Sequence, residues 1–183
     1  MALLELLADR EALRAALGLD RPVSEQYLEY LGRLVRLDLG ESFQDRRPVR
    51  SILGERLPAT LELTAAALTL ALVLALPLGV LAARHRGSRL DASAMGLSLV
   101  GVSIPNFWLG PLLIMTFSLW LGWTPVSGRE GIGSLVLPAI TLGTGMAAIL
   151  ARMVRGSVLE VLGEDYVRTA RAKGLSEGRV LWG

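Results

Sequence analysis

Three long apolar runs, residues 61–83, 92–122 and 132–151, follow a charge-rich opening stretch and precede a polar, helix-forming tail. The first run carries one charge, Glu62. At 1.5 Å per residue it covers ~34 Å, enough for a hydrocarbon core ~30 Å thick. Pro58 and Thr60 are read as its start, and the basic segment from Arg84 to Arg89 as its end. The second run is longer than one straight span needs and contains Pro105 and Pro111. It is read either as one kinked helix or as a helix with an unwound middle, both tolerated where neighbouring helices satisfy the freed backbone groups. The third run is again one span long. The predicted class is all-α: a polytopic membrane protein with three transmembrane helices within residues 57–183.

Residues 1–56 read differently, as a small helical region outside the bilayer. Nine arginines face ten carboxylates there. The spacing predicts short helices near residues 3–17 and 24–37, a turn at 18–22, and a loop from Gly40 through 41–47, with Ser24 as a cap for the second helix. No secretory signal is visible, since acidic residues come early and the apolar core is short. Arginine placement sets orientation: Arg84, Arg86 and Arg89 lie between the first two spans, and Arg152, Arg155, Arg168, Arg171, Lys173 and Arg179 come after the third. Between spans two and three stands only Arg129. The positive-inside rule therefore puts 84–91 and 152–183 in the cytoplasm and 123–131 outside, with Trp120 and Trp123 as outer-interface residues. Residues 1–56 must then lie outside, and a transmembrane helix preceding them is expected, because nothing in this chain would carry them across.

Composition agrees and excludes much chemistry. The chain has 183 residues, 52% of them hydrophobic, a mean hydropathy of +0.48, and no cysteine. Of 19 basic residues only Lys173 is a lysine, and no aromatic-laced basic stripe accompanies the arginines, so no nucleic-acid partner is expected. There is no phosphate loop, no H-E-x-x-H and no G-x-S-x-G, and the single histidine, His85, reads as a solvated loop residue. No catalytic, cofactor or metal site is expected, and the chain is read as a non-enzyme.

Four features remain as candidates. Glu62 either offsets the helix dipole in the first turn of its span or contacts a substrate or proton. Pro105 frees a backbone carbonyl that Ser103 and Asn106 can bond, giving either a hinge or a static kink. Gly143, Gly145, Ala147 and Ala148 permit close helix approach, as in any tight bundle. In the tail, Val158, Leu159, Leu162, Tyr166 and Ala170 fall on one helical face, Gly174 fits a left-handed helix end, and Ser176 can cap the next helix. Docking on a partner and anchoring at the membrane surface both fit that pattern.

The tail Asp165-Tyr-Val-Arg-Thr-Ala-Arg-Ala-Lys-Gly-Leu-Ser-Glu resembles the cytoplasmic loop of ABC-importer permeases, in the form found in the dipeptide/oligopeptide/nickel permease family. Leu17-Gly-Leu-Asp-Arg-Pro22, Leu37-Asp-Leu-Gly-Glu-Ser42, Arg56-Leu-Pro-Ala-Thr-Leu-Glu-Leu63 and Ser103-Ile-Pro-Asn-Phe-Trp108 match the same family in order along nearly the whole chain. The family pattern is Glu-Ala-Ala, three residues, Gly, nine residues, then Ile-x-Leu-Pro. Gly174 takes the glycine position, and Arg168-Thr169-Ala170 the Glu-Ala-Ala place, with arginine for the acid.

The resemblance implies a partial type-1 ABC transmembrane helical bundle. Against the family's usual six spans, it implies a chain short of one helix before Met1 and two beyond Gly183. It further implies a permease subunit importing peptides, or a related solute such as nickel, across a bacterial or archaeal plasma membrane. The implied partners are ABC ATPase subunits, a second permease subunit and an extracytoplasmic solute-binding protein, besides the lipid bilayer. ATP hydrolysis would belong to the separate ATPase, docked by a coupling loop within 157–183. Asp165, Tyr166, Arg168, Thr169, Ala170, Lys173 and Gly174 are the expected coupling residues; Ser103, Pro105, Asn106 and Glu62 are the expected hinge or pathway. Two rival readings stand beside it: a transport-inactive truncated remnant, and a small membrane anchor.

Overall fold

The computed structural model describes Arg14 and residues 19–182, with side chains through residue 180. Apart from Arg14, which is helical, the helix expected over residues 3–17 lies outside the described residues. The chain divides into two units, Met1–Ala59 and Thr60–Gly183.

In the first unit, helix α1 spans Val23–Val35. Its cap is Pro22, not Ser24, which sits inside the first turn. Proline presets the entry φ, here −52°, and its carbonyl receives the amides of Glu25 and Gln26 at 3.0 and 3.2 Å. Gln26 Nε2 donates back to the Arg21 carbonyl at 2.8 Å, tying the incoming chain to the first turn, and no side chain caps the helix amides. The loop after α1 closes through Val49 N–H to Gly40 O at 2.9 Å. Charges here pair locally: Glu29 takes both Arg21 and Arg33, and Glu55 takes Arg47.

Helix α2 runs Val49–Arg84, 36 residues and ~54 Å. It therefore starts well before Pro58, contrary to the sequence reading. Its first turn is already closed by the Ser51 and Ile52 amides on the Pro48 carbonyl, at 3.0 and 3.3 Å. Pro58 thus costs an established helix one hydrogen bond without beginning it. Ala67, Ala71, Ala75 and Gly79 recur every four residues and are buried, while Leu68, Leu72, Val73 and Leu76 are exposed. Small side chains inside and large ones outside invert the soluble arrangement and suit lipid.

Helix α3, Arg89–Ser103, is capped by Ser88, whose Oγ accepts from Asp91 N–H. Helix α4, Asn106–Leu113, continues as a π-helical segment, Ile114–Trp120. The second apolar run is thus broken rather than smoothly kinked: Ile104 and Pro105 are extended, and the two arms meet at 95°. Helix α5, Gly133–Leu162, carries the third run and continues eleven residues beyond Ala151. By length and composition α2 and α5 can each cross a membrane, and the bent pair makes a third if counted as one span.

α5 lies against α2, α3 and α4. A Cβ on Gly79 would stand 2.7 Å from Val154 Cβ and 2.8 Å from Ala151 O; one on Gly143 would stand 2.9 Å from Ala67 O. A Cβ on Gly101 of α3 would lie 3.1 Å from Ala148. The small residues picked out on α5 are thus at contacts, except that Gly145 is only half-buried and faces Asn106. Gly79→Ala and Gly143→Ala should each overpack this seam, at about 1–3 kcal/mol. Gly96→Ala, where nothing lies within 4 Å, should be neutral or stabilising. Thermal unfolding in detergent checks this; equal midpoints for all three variants contradict the seam.

Candidate functional site

Past α5, Gly163 ends the helix and Glu164 turns extended (φ −70°, ψ 149°), starting helix α6 at Asp165–Ala172. This break resets the helical face. Val167, only 2% exposed, is the inward residue of α6, while Tyr166 is 64% exposed. The single apolar face through Leu162, Tyr166 and Ala170 therefore does not exist, because it requires one unbroken helix. Thr169 Oγ1 donates to the Asp165 carbonyl at 2.9 Å, and Arg168 stands 3.4 Å from the Asp165 carboxylate. Asp165, Tyr166, Arg168, Thr169 and Lys173 are exposed, and Ala170 is half-buried.

Lys173 caps α6, and Gly174 comes next at φ +81°. The Leu175 amide reaches the Ala170 carbonyl at 3.3 Å and the Gly174 amide the Arg171 carbonyl at 2.9 Å. Those two bonds form a Schellman motif, which needs the left-handed residue glycine supplies without strain. Across the turn Arg171 grips Glu177, at the start of helix α7 (Glu177–Trp182), through two bonds of 2.9 and 3.2 Å. The hydrogen bonds from Arg171 hold the Glu177 carboxyl below the usual glutamate range. Desolvation opposes them, and the charges of Arg171 and Arg84 add to the lowering.

The remaining candidates lie apart from this element. Ser103, Pro105 and Asn106 sit at the α3–α4 break. Ser103 Oγ bonds the Leu99 carbonyl at 2.8 Å, not the carbonyl freed by Pro105, and Asn106 begins α4. Glu62 lies beyond the first turn of α2, where the dipole no longer acts, so that account of it fails. It accepts instead from Arg129 Nη2 at 2.8 Å. Along α2, Glu62 and Arg84 are about 33 Å apart.

One pair escaped the sequence reading. Asp91, in the first turn of α3 and 6% exposed, accepts from Arg155 Nε at 2.6 Å and Nη2 at 2.7 Å. The Gly87 amide adds a third bond at 3.0 Å. The available signal was that Asp91 is the one carboxylate among the arginines of residues 84–91.

Residues 75–183 match the family of binding-protein-dependent transport system inner membrane components. The chain belongs to this family. It is 46% identical to the di/tripeptide transport system permease protein DppB of Pseudomonas aeruginosa strain UCBPP-PA14, over 91% of this chain and 58% of that protein. It is 43% identical to the dipeptide transport system permease protein DppB of Escherichia coli K12, over 92% of this chain and 59% of the relative. For the oligopeptide transport system permease protein AppB of Bacillus subtilis strain 168 the identity is 42%, over 96% and 59%. The chain thus spans under two thirds of the length of these relatives. The family stretch takes in the α3–α4 break, the Asp91–Arg155 pair and the whole α6–Gly174–α7 element, whereas Glu62 precedes it.

The geometry of α6 and α7 sets two outcomes. Gly174→Ala should force an L-residue into the left-handed region, costing about 1–2 kcal/mol and raising hydrogen exchange at the Leu175 amide roughly 5–30-fold. Gly178→Ala, with open space and no positive φ, should leave that exchange unchanged. The lowered Glu177 carboxyl stabilises the folded turn above the ordinary glutamate pKa of about 4.3, and that contribution is lost as pH falls through and below it. Exchange across the turn, corrected for intrinsic rates, should therefore rise on acidification in the native protein, and less so in Glu177→Gln.

Proposed function

We propose that this chain is permease sequence of an ATP-driven importer in a bacterial or archaeal inner membrane, carrying peptides or a related solute, with α6–Gly174–α7 as its coupling element. The observation that carries the reading is an exposed polar helix, rigidly capped, at the end of a membrane-length helix and inside the family stretch. Its Asp165, Tyr166, Arg168, Thr169 and Lys173 side chains are exposed and open to a partner, and Ala170 and Gly174 fix its backbone. The partner proposed for this face is an ATPase subunit, and residues 1–183 carry no phosphate loop. The named relatives are dipeptide, di/tripeptide and oligopeptide permeases, which favours peptides as the solute class.

In this assembly a second permease subunit completes the pathway and an extracytoplasmic solute-binding protein delivers the solute. Arginine placement favours residues 84–91 and 152–183 in the cytoplasm, and residues 1–56 and 123–131 outside. On that orientation the region 1–56 is extracytoplasmic and 57–183 is the permease portion. Nucleotide-driven closure of the ATPase pair displaces α6, and the helices above it swing between outward- and inward-open states. The break at Ser103, Pro105 and Asn106 serves as the hinge, and the Glu62–Arg129 pair holds the outer end of α2 to the 123–131 loop.

The test uses the intact permease co-expressed with its ATPase. Proline cannot adopt the φ of +81° found at Gly174. Gly174→Pro should lose most of the ATPase recovered by co-purification while the permease stays in the membrane. Recovery equal to wild type removes the docking role of this element.

A further inference from the structure

The α3–α5 contact is held in two different ways. In the last turn of α3, Gly101 lies against Ala148 of α5, an apolar contact between small residues. In a bilayer such a contact is held by close packing alone, without a hydrophobic contribution, because lipid tails are as apolar as the side chains they replace. Near the start of α3, the Asp91 carboxylate and Arg155 guanidinium meet through two bonds of 2.6 and 2.7 Å. A bidentate pair fixes angle as well as distance, and a largely buried one excludes the water that would loosen it.

Asp91 is anchored on its own side too. The Gly87 amide binds its carboxylate at 3.0 Å, and Ser88 Oγ receives its backbone amide at 3.3 Å. The carboxylate is therefore fixed to α3 and to the loop that enters α3. Arg155 lies two turns before Leu162, where α5 gives way to α6. At the other end of α3 is the Ile104–Pro105 break. Asp91 and Arg155 thus form a polar joint between the helix that ends at α6 and the helix that ends at the break.

We infer that Asp91 and Arg155 are positioning residues that lock α3 to α5 through the whole transport cycle. A displacement received at α6 then reaches the Ile104–Pro105 break as the movement of one rigid pair. The transport consequence rests on the proposed function; the lock itself does not.

Two measurements separate these. The sequence has no cysteine, so Ser93→Cys on α3 and Ser157→Cys on α5, both exposed, can carry spin labels. In the intact, membrane-reconstituted permease the label distance should be narrow, and identical without nucleotide and with ATP trapped in the assembly. Asp91→Asn should broaden it even without nucleotide, a result that does not depend on the ATPase docking at α6. Solute uptake per ATP hydrolysed should fall roughly tenfold or more in Asp91→Asn, within the range of inter-site couplings, while ATPase recovery stays at the wild-type level. Arg155→Lys, which keeps the charge but not the fork, should fall between. If Asp91→Asn fails to assemble, Arg155→Lys is read on the same two axes. A wild-type distance that changes with nucleotide overturns the lock. So does a variant that leaves both the distance and the uptake-to-ATP ratio unchanged, or one in which uptake and hydrolysis fall together while the distance stays narrow.

Discussion

α5 packs where it does because Gly79 and Gly143 have no side chains. At each, a single methyl group would come within 3 Å of the facing helix, so α2 and α5 meet nearly backbone to backbone. Gly143 faces Ala67, and Gly79 faces Ala151 and Val154, so the two helices run parallel along the seam. In lipid, packing of this kind and interhelical hydrogen bonding replace the hydrophobic effect as the source of association. With one flank of α5 committed to α2, α3 and α4 are packed on the remaining surface. α6 hangs from its C-terminal end.

The polar groups obey the same logic. Hydroxyls of Thr64, Ser98, Ser103, Thr141 and Thr144 each donate to the carbonyl four residues back, so they need no partner on a neighbouring helix. Among the described residues, Glu62–Arg129 and Asp91–Arg155 are ion pairs that join segments more than sixty positions apart. The former joins α2 to the loop after the π-helical segment; the latter joins the start of α3 to the last turns of α5. Between them the helices meet through apolar or small side chains, leaving the bilayer depth nearly free of charge.

Much of this is readable from residue order. Hydropathy locates three apolar runs because lipid imposes a length and a composition on whatever crosses it. Gly174 is recognisable as a helix end because so few residues adopt a positive φ. The failures involve context that lies outside any short window. Pro58 looks like a helix start, yet α2 is already closed at Pro48, and this misplacement turns Glu62 into a first-turn residue. Tyr166 would share the inward face only in a helix running on through Gly163 and Glu164; the break there hands the inward position to Val167. The Asp91–Arg155 pair is invisible for a simpler reason. Its members are 64 positions apart, and each alone reads as an ordinary charge flanking a span.

The bridge from Arg171 to Glu177 across the Gly174 turn has a consequence for recognition. A loop that orders only when it meets its partner gives up part of the interaction to conformational entropy, about 0.5–1.5 kcal/mol for each long side chain immobilised. Here α6 and α7 already hold their mutual angle through two backbone bonds and a two-pronged ion pair. If this element is the coupling site proposed above, an ATPase subunit docking there would meet a finished shape and would not have to order the loop on binding.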